Sequence, residues 1–306
     1  MSFIPLIQPT PLNYLGVEEG NNLYIKRDDL LPFSFGGNKV RKAVLFFEDL
    51  QKKGADCVVT YGSASSNHCR VVANMAAALG LCCVLISTDA GSASLSRILC
   101  KQFGAEVIVV PVDSVAETID STMKRLHSEG YKPYFIPGGG HGNIGTRAYD
   151  LAYDEIKNYE KQNSIGFDHI FLASGTGTTQ AGLVCGKLRC NDAFRKIVGI
   201  SIARENPRGR NIVIGSVKDY CGSSAADEVQ FLDTYRCGGY GRYDQEITDT
   251  IDRVMMRYGV PLDPTYTGKA FNGMLKHLRS GRICGRNILF IHTGGTPIYQ
   301  DWMVRR

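Results

Sequence analysis

The sequence has no apolar run near the roughly 20 residues that a membrane-spanning helix requires. It has no C-x-x-C pair, so the ligand spacing of common zinc sites is missing and no metal site is expected. It carries a single tryptophan, Trp302, and shows no internal repeat, low-complexity linker or block of like charge. An excess of one sign is also lacking. Thirty-five basic and 30 acidic residues leave a formal net charge of +5, mixed along the chain. That balance gives no electrostatic footprint for nucleic acid. The opening Met1-Ser2-Phe3-Ile4-Pro5 has neither a basic segment nor a long apolar stretch, so it does not read as a signal peptide.

What is present is an ordinary globular composition, 43% hydrophobic and 21% charged over 306 residues. It excludes a disordered chain, a collagen-like chain and a coiled coil. The length suits two domains or one large α/β unit. Ten cysteines are scattered, several inside apolar runs such as Cys82-Cys83-Val84-Leu85-Ile86. Free cysteine behaves there as a small hydrophobe, and the pattern reads as a reducing, cytoplasmic setting. The 34 glycines exceed the average of about 7% and gather in a few short loops.

Apolar β-rich runs alternate with helical patterns, which predicts α/β layers around parallel strands. Candidate strands are Cys57–Tyr61, Cys82–Ile86, Val107–Val110, Tyr134–Ile136, His169–Ala173, Ile197–Ser201 and Ile288–His292. A helix is expected over Val115–Glu129, opened by a Ser114/Glu117 capping box, closed at Gly130, with Ile119, Met123 and Leu126 on its core face. A second is expected over Ile247–Tyr258, with Ile251, Val254, Met255 and Tyr258 inward and Gly259 after it. The run Gly138-Gly139-Gly140-His141-Gly142 reads as a flexible turn or as a hinge or ligand loop.

Four segments carry chemistry. In Ser174-Gly175-Thr176-Gly177-Thr178-Thr179-Gln180 an apolar run precedes the loop and a helical pattern follows. Strand, glycine loop and helix make an anion site, because the first helical turn has unpaired N–H groups. A dinucleotide fingerprint would need glycine where Gln180 stands, and no Gly-Lys-Ser/Thr follows for a P-loop. A small phosphorylated cofactor fits better. In Gly36-Gly37-Asn38-Lys39-Val40-Arg41-Lys42 a lysine follows a tight turn and can form a Schiff base if its pKa is lowered. A Schiff-base lysine and a separate phosphate loop are the pair that pyridoxal phosphate requires. Ser65-Ser66-Asn67-His68 follows a predicted strand and suits a carboxylate or ring oxygen, a helix N-cap, or both. In Asp263-Pro264-Thr265-Tyr266-Thr267-Gly268-Lys269 the Tyr266 phenol either reaches a cleft or is buried by its ring.

Together these segments resemble the fold-type II pyridoxal-phosphate enzymes, closest to the D-cysteine desulfhydrase and aminocyclopropane-carboxylate (ACC) deaminase family. The resemblance runs from Gln8-Pro9-Thr10-Pro11-Leu12 through Lys26-Arg27-Asp28-Asp29-Leu30 to His292-Thr293-Gly294-Gly295. It implies that Lys39 holds the cofactor as an internal aldimine and shuttles the Cα proton. Lys42 matches a second lysine near the phosphate. Gly175, Thr176, Gly177, Thr178 and Thr179 match the phosphate cup, and Asn67 the asparagine beside the ring oxygen. Ser66 and His68 match positions facing the substrate, with Asn67 beside them. Tyr240 and Tyr266 match two active-site tyrosines, and Thr293 falls near the pyridine-ring end. ACC deaminases resemble one another in a glutamate after the second tyrosine and a leucine after the final histidine; this chain has Thr267 and Thr293, as desulfhydrases do. A hydroxyl near the ring nitrogen favours its protonation less than an acid would, which argues against cyclopropane ring opening.

The sequence departs from the family pattern at Ser65, where glutamine is usual, at His141, and in the loop over Thr88–Ser96. His141 either reads a different leaving group or packs in its loop. The implied fold is α/β with two open, mostly parallel sheets. The implied domains are a large one from 1–42 plus 147–306 and a small one from 43–146, with the cofactor in the cleft between them. The implied reaction is β-elimination, with D-cysteine giving pyruvate, sulfide and ammonia, and the implied assembly a homodimer. Lyases for cysteate or diaminopropionate, ACC deamination and β-replacement stay open on the same scaffold. A nicotinamide-dependent dehydrogenase using the Gly175 loop and a non-catalytic small-molecule binder are the readings outside it.

Overall fold

The computed structural model describes residues 7–88, 94–222 and 226–306. The opening segment Met1–Pro5 and most of the Thr88–Ser96 loop singled out above lie outside the described residues. In chain order the elements begin with β1 (Leu12–Glu18), β2 (Asn21–Lys26), α1 (Asn38–Lys52), β3 (Cys57–Gly62), α2 (Asn67–Ala78) and β4 (Cys82–Ser87). There follow α3 (Leu95–Gln102), β5 (Glu106–Val109), α4 (Val115–Ser128), β6 (Pro133–Phe135), α5 (Asn143–Asn163), β7 (His169–Ser174) and α6 (Thr178–Arg189). The chain ends through β8 (Lys196–Ser201), α7 (Arg208–Cys221), β9 (Val229–Leu232), α8 (Gln245–Tyr258), α9 (Thr267–Ser280), β10 (Asn287–Ile291) and α10 (Thr296–Arg305).

Two open sheets result. One has six strands in the order β1-β2-β10-β7-β8-β9, and the other four in the order β5-β4-β3-β6. Every pairing is parallel except the β1–β2 hairpin. Parallel strands are covered on both faces and read as continuous apolar runs, which is why seven of them were visible in the sequence. Period-2 alternation divides each strand between two cores. Phe171 and Ala173 of β7 face one core, and Ile170 and Leu172 the other. Val58 of β3 enters a third core, while Cys57 and Val59 enter a fourth.

Helix α6 lies against α5 because two glycines one turn apart remove the obstruction. A Cβ at Gly182 would come 2.3 Å from the Thr146 carbonyl oxygen, and one at Gly186 2.4 Å from Tyr153 Cβ.

Two local expectations are corrected. Ser114 does not form a capping box with Glu117. It closes a 3-10 turn over Val112–Ser114 and has no side-chain cap bond, while its carbonyl accepts from the Thr118 hydroxyl at 2.7 Å. Helix α8 buries Ile247, Ile251 and Val254, but Met255 is 39% exposed and stands outside the core. Gly130 and Gly259 take the left-handed conformation expected after α4 and α8. Among the described residues no helix is long and apolar enough to cross a membrane, and no cluster of three or more His, Cys, Asp or Glu could hold a metal.

Candidate active site

The carboxyl ends of β3 and β7 open onto one cavity of about 550 Å³. Loops from both sheets line it.

Lys39 enters from the first turn of α1. Gly36 and Gly37 set that turn in the left-handed region, with φ of 63° and 101°. A Cβ at Gly36 would lie 2.1 Å from the Asp29 carbonyl oxygen, and one at Gly37 2.8 Å from that of Thr293. Only glycine lets the chain press this closely against its neighbours before the lysine. Lys39 Nζ donates to the Gly139 carbonyl at 2.9 Å. Burial lowers the amine to about 8, so far more of it is neutral near physiological pH than of an ordinary lysine.

The glycine loop after β7 forms the opposite wall. Gly175, Thr176, Gly177 and Thr179 line the cavity at the start of α6, whose first-turn N–H groups have no helical partner. Asn38 Nδ2 donates to Thr179 Oγ1 at 3.0 Å, tying α1 to the loop. Thr178 turns away from the cavity and accepts from Lys42 Nζ at 2.6 Å. Lys42 therefore stands behind the loop. Burial, and then Lys39, push its pKa well below the ordinary lysine value. Gln180 answers its own mismatch to the dinucleotide pattern. It accepts from Ser174 Oγ at 2.9 Å and donates to the Gln230 carbonyl at 2.7 Å, holding β9 to the loop.

The third wall is the start of α2. Ser66 is its N-cap and accepts from the Cys69 N–H at 3.2 Å, so the capping reading holds, and Ser66, Asn67 and His68 also line the cavity. Thr60 donates its hydroxyl to the Ile136 carbonyl at 2.7 Å, so at 2.9 Å from His68 Nε2 it must accept. His68 thus carries its proton on Nε2, and its buried Nδ1 has no partner. Burial, Lys39 and Lys42 lower its pKa well below the ordinary histidine value, so the ring is neutral.

The fourth wall carries two tyrosines. Tyr240 and Tyr266 share a hydroxyl contact of 2.8 Å, and Ser63 Oγ lies 3.2 Å from the Tyr240 hydroxyl. The fully buried Asp263 fixes Tyr266, accepting from the N–H groups of Thr265, Tyr266 and Thr267. Burial, and then Tyr240, raise the Tyr266 phenol well above its ordinary value, so it keeps its proton. The Thr267 hydroxyl donates to Asp263 Oδ2 at 2.8 Å and is not part of the wall. Thr293 does line the cavity.

Lys39, Ser66, Asn67, His68, Gly175, Thr176, Gly177, Thr179, Tyr240, Tyr266 and Thr293 are thus brought together. Lys42, Thr178 and His141 are not in the wall, and His141 is exposed. Sequence reasoning missed Arg204, from the loop after β8, and Arg208, the first residue of α7, which both line the cavity. Arg204 donates to the Gly175 carbonyl. Neither arginine has a carboxylate partner among the described residues, and no Asp or Glu lines the cavity. No sequence motif marks a lone arginine after a strand. The wall is cationic, with a poised amine and a phosphate-sized cradle.

Residues 4–294 match the family described as pyridoxal-phosphate dependent enzyme. The chain belongs to the pyridoxal-phosphate dependent enzymes. It is 37% identical over 295 residues to a Pyrococcus horikoshii protein named as a candidate 1-aminocyclopropane-1-carboxylate deaminase, covering 94% of this chain and 89% of the relative. It is 32% identical over 304 residues to a D-cysteine desulfhydrase of Klebsiella pneumoniae, covering 94% and 92%. A crystal structure of an ACC deaminase homologue superposes with a TM-score of 0.88 at 35% identity, covering 99% of this chain and 95% of that one. The architecture is fold-type II, as the sequence implied, and the cofactor of the family is pyridoxal phosphate.

The residues present fit that group. The Gly175–Thr179 cradle with its free N–H groups suits a phosphate dianion, and the Lys39 amine, its pKa lowered, suits an aldehyde. Among the described residues no wall carboxylate competes with an anion in the cradle.

Proposed function

We propose that this pyridoxal-phosphate enzyme is a lyase that eliminates the β-substituent of an amino acid, with D-cysteine and water giving pyruvate, hydrogen sulfide and ammonia. One observation carries the choice: hydroxyls surround the cavity (Ser63, Ser66, Tyr240, Tyr266, Thr293) and no carboxylate does among the described residues. When bound, the cofactor delocalises the electron pair left at Cα. Lys39 holds it and moves the Cα proton, its amine already depressed toward neutrality. The α6 N-terminus takes the phosphate, with the Lys42–Thr178 pair behind it. Asn67 would hold the ring oxygen, and Thr293 would lie at the ring-nitrogen end. Ser66 and the α2 start orient the substrate carboxylate, and His68 stays neutral beside them. Tyr266 is the proton donor to the departing group, resupplied through Tyr240 and Ser63 at the mouth. An exposed His141 outside the wall makes no substrate contact in this arrangement.

A second reading, deamination of ACC to 2-oxobutanoate and ammonia, is favoured by the names of the Pyrococcus relatives and of the superposing structure. The two separate in one experiment. The purified protein is charged with cofactor, its visible spectrum is recorded with D-cysteine, L-cysteine, other β-substituted alanines and ACC in turn, and products are identified. Sulfide with pyruvate supports elimination; 2-oxobutanoate from ACC alone replaces it with ring opening. Lys39→Ala must abolish both the visible band and turnover, and turnover that survives defeats the assignment. The same proposal carries a homodimer in a reducing cytosol, and a division into 1–42 plus 147–306 and 43–146. The two sheets support that division, since their strands fall on either side of it.

A further inference from the structure

Arg70, on the second turn of α2, is among the largest fully buried side chains of the molecule. A buried guanidinium is ordinarily paired with a carboxylate. Arg70 has no such partner among the described residues, and its Nε has no hydrogen-bond partner. It donates instead to neutral acceptors: the Ser34 carbonyl and hydroxyl, and Asn67 Oδ1 at 2.8 Å. Its charged carbon stands 5.8 Å from the centre of the Phe35 ring. The titratable group facing it from α3 is the Cys100 thiol, which burial keeps protonated.

These contacts decide which way Asn67 points. A guanidinium can only donate, so the amide atom that meets it must be the oxygen. The other end of the Asn67 amide is then its NH₂ group, which has no partner among the described protein atoms, and Asn67 lines the cavity. Arg70 also grips Ser34, within the left-handed run Phe33-Ser34-Phe35-Gly36 that leads into Lys39. One buried cation therefore orients the asparagine and braces the turn that delivers the lysine.

We propose that Arg70 is a positioning residue for the cofactor. It holds Asn67 with its NH₂ group toward the cavity, where that group donates to the anionic ring oxygen of pyridoxal phosphate. This rests on the reading of Lys39 and Asn67 given under the proposed function. The positive charge behind the amide polarises it and so strengthens the hydrogen bond it gives to an anion. A buried cation without a carboxylate partner then has its counter-charge on the cofactor, one amide away.

The test is cofactor affinity and the ratio of the visible bands at fixed pH, measured on the wild type, Arg70→Lys, Asn67→Ala and the double variant. Arg70→Lys should weaken cofactor binding about tenfold and redistribute the bands, and it should do neither in the Asn67→Ala background. An equal effect in both backgrounds overturns the proposal, because Arg70 would then act through the Ser34 turn alone. A lower melting temperature with unchanged affinity and bands overturns it as well. Asn67→Asp supplies an arm that leaves no cation unpaired. It should raise the melting temperature through an ion pair with Arg70 and still weaken the cofactor, having lost the donor. Wild-type affinity in Asn67→Asp overturns the proposal. Failure of the underlying reading looks different: the wild type itself would show no band with cofactor, or Lys39→Ala would keep it.

Discussion

The role proposed for Lys39 rests on its surroundings rather than on its own chemistry. Burial lowers its pKa to about 8, against an ordinary 10.5, so the neutral fraction rises with pH through about 8 instead of through 10.5. Cofactor capture by the apoenzyme needs the neutral amine. Its rate, followed by the growth of the visible band, should climb steeply between about pH 7 and 9 and flatten above, whereas an ordinary lysine would keep climbing. Tyr266 is the mirror case, a phenol kept protonated by burial. Tyr266→Phe should keep cofactor binding and lower kcat by roughly 10²- to 10⁴-fold, the range of a lost general acid. Turnover at the wild-type rate would move the donor role elsewhere. Some of these residues are legible in the sequence. Lys39, Ser66, Asn67 and Gly175–Thr179 sit in turns whose chemistry is written locally, as glycines before a lysine or short polar residues opening a helix. Arg70, Arg204 and Arg208 are not, because what makes each of them notable is the lack of a carboxylate nearby, a property of distant segments. Lys42 and Thr178 sit within readable motifs, yet their side chains meet each other behind the loop rather than the cavity.

The elements follow the same division between local and distant information. Seven parallel strands were readable as apolar runs, but β1, β2 and β9 were not. β1 and β9 are edge strands, and of β1 only Glu18 is buried. β2 buries Asn21 and Lys26, which breaks the alternation that would mark it. Its hairpin turn, Glu19-Gly20 with both φ positive, is the signal that could have found the pair. Helix α4 formed without its expected capping box because the chain already enters through a 3-10 turn. The α5–α6 contact shows how much hangs on one missing side chain. A Cβ at Gly182 has a backbone oxygen and Tyr149 Cβ in its way, at 2.3 and 2.6 Å, and neither is a flexible tip that could swing aside. Gly182→Ala should therefore destabilise the fold by about 1–3 kcal/mol or more despite its better helix propensity. Because α6 begins at the phosphate cradle, the same variant should weaken cofactor binding. Denaturant unfolding and a cofactor titration would show whether the two losses come together.

At the scale of the whole molecule, the site depends on where the two sheets meet, and one buried charge network stands at that junction. Asp28 accepts from Arg41 at 2.9 and 3.0 Å, from Tyr149 at 2.5 Å and from Thr10 at 2.7 Å. Lys26 and Arg41 also reach Glu155. These residues come from the amino-terminal segment, β2 and the 3-10 turn after it, α1 and α5. Of those helices, α1 packs into a core of the four-stranded sheet and α5 into a core of the six-stranded one. The sequence showed Lys26-Arg27-Asp28-Asp29 as a motif but not that Asp28 would be fully buried, since its partners lie up to 121 residues away. Burial works to raise the Asp28 carboxyl, but Arg41 and Lys26 outweigh it and hold the group well below the usual carboxylate range. A carboxyl whose folded pKa is depressed stabilises the fold above its unfolded value of about 3.9, and that contribution is lost as pH falls toward the folded value. Stability should therefore decline as pH drops below about 4. Asp28→Asn keeps the shape but leaves Lys26 and Arg41 with Glu155 as their one carboxylate. That change should cost about 3–5 kcal/mol and remove part of the acid dependence. The paired measurement is denaturant unfolding of wild type and variant at neutral pH and at a pH just below 4. If Asp28 carries the junction, the gap between them is widest at neutral pH and narrows in acid. A gap that stays constant would place the acid sensitivity in other carboxylates.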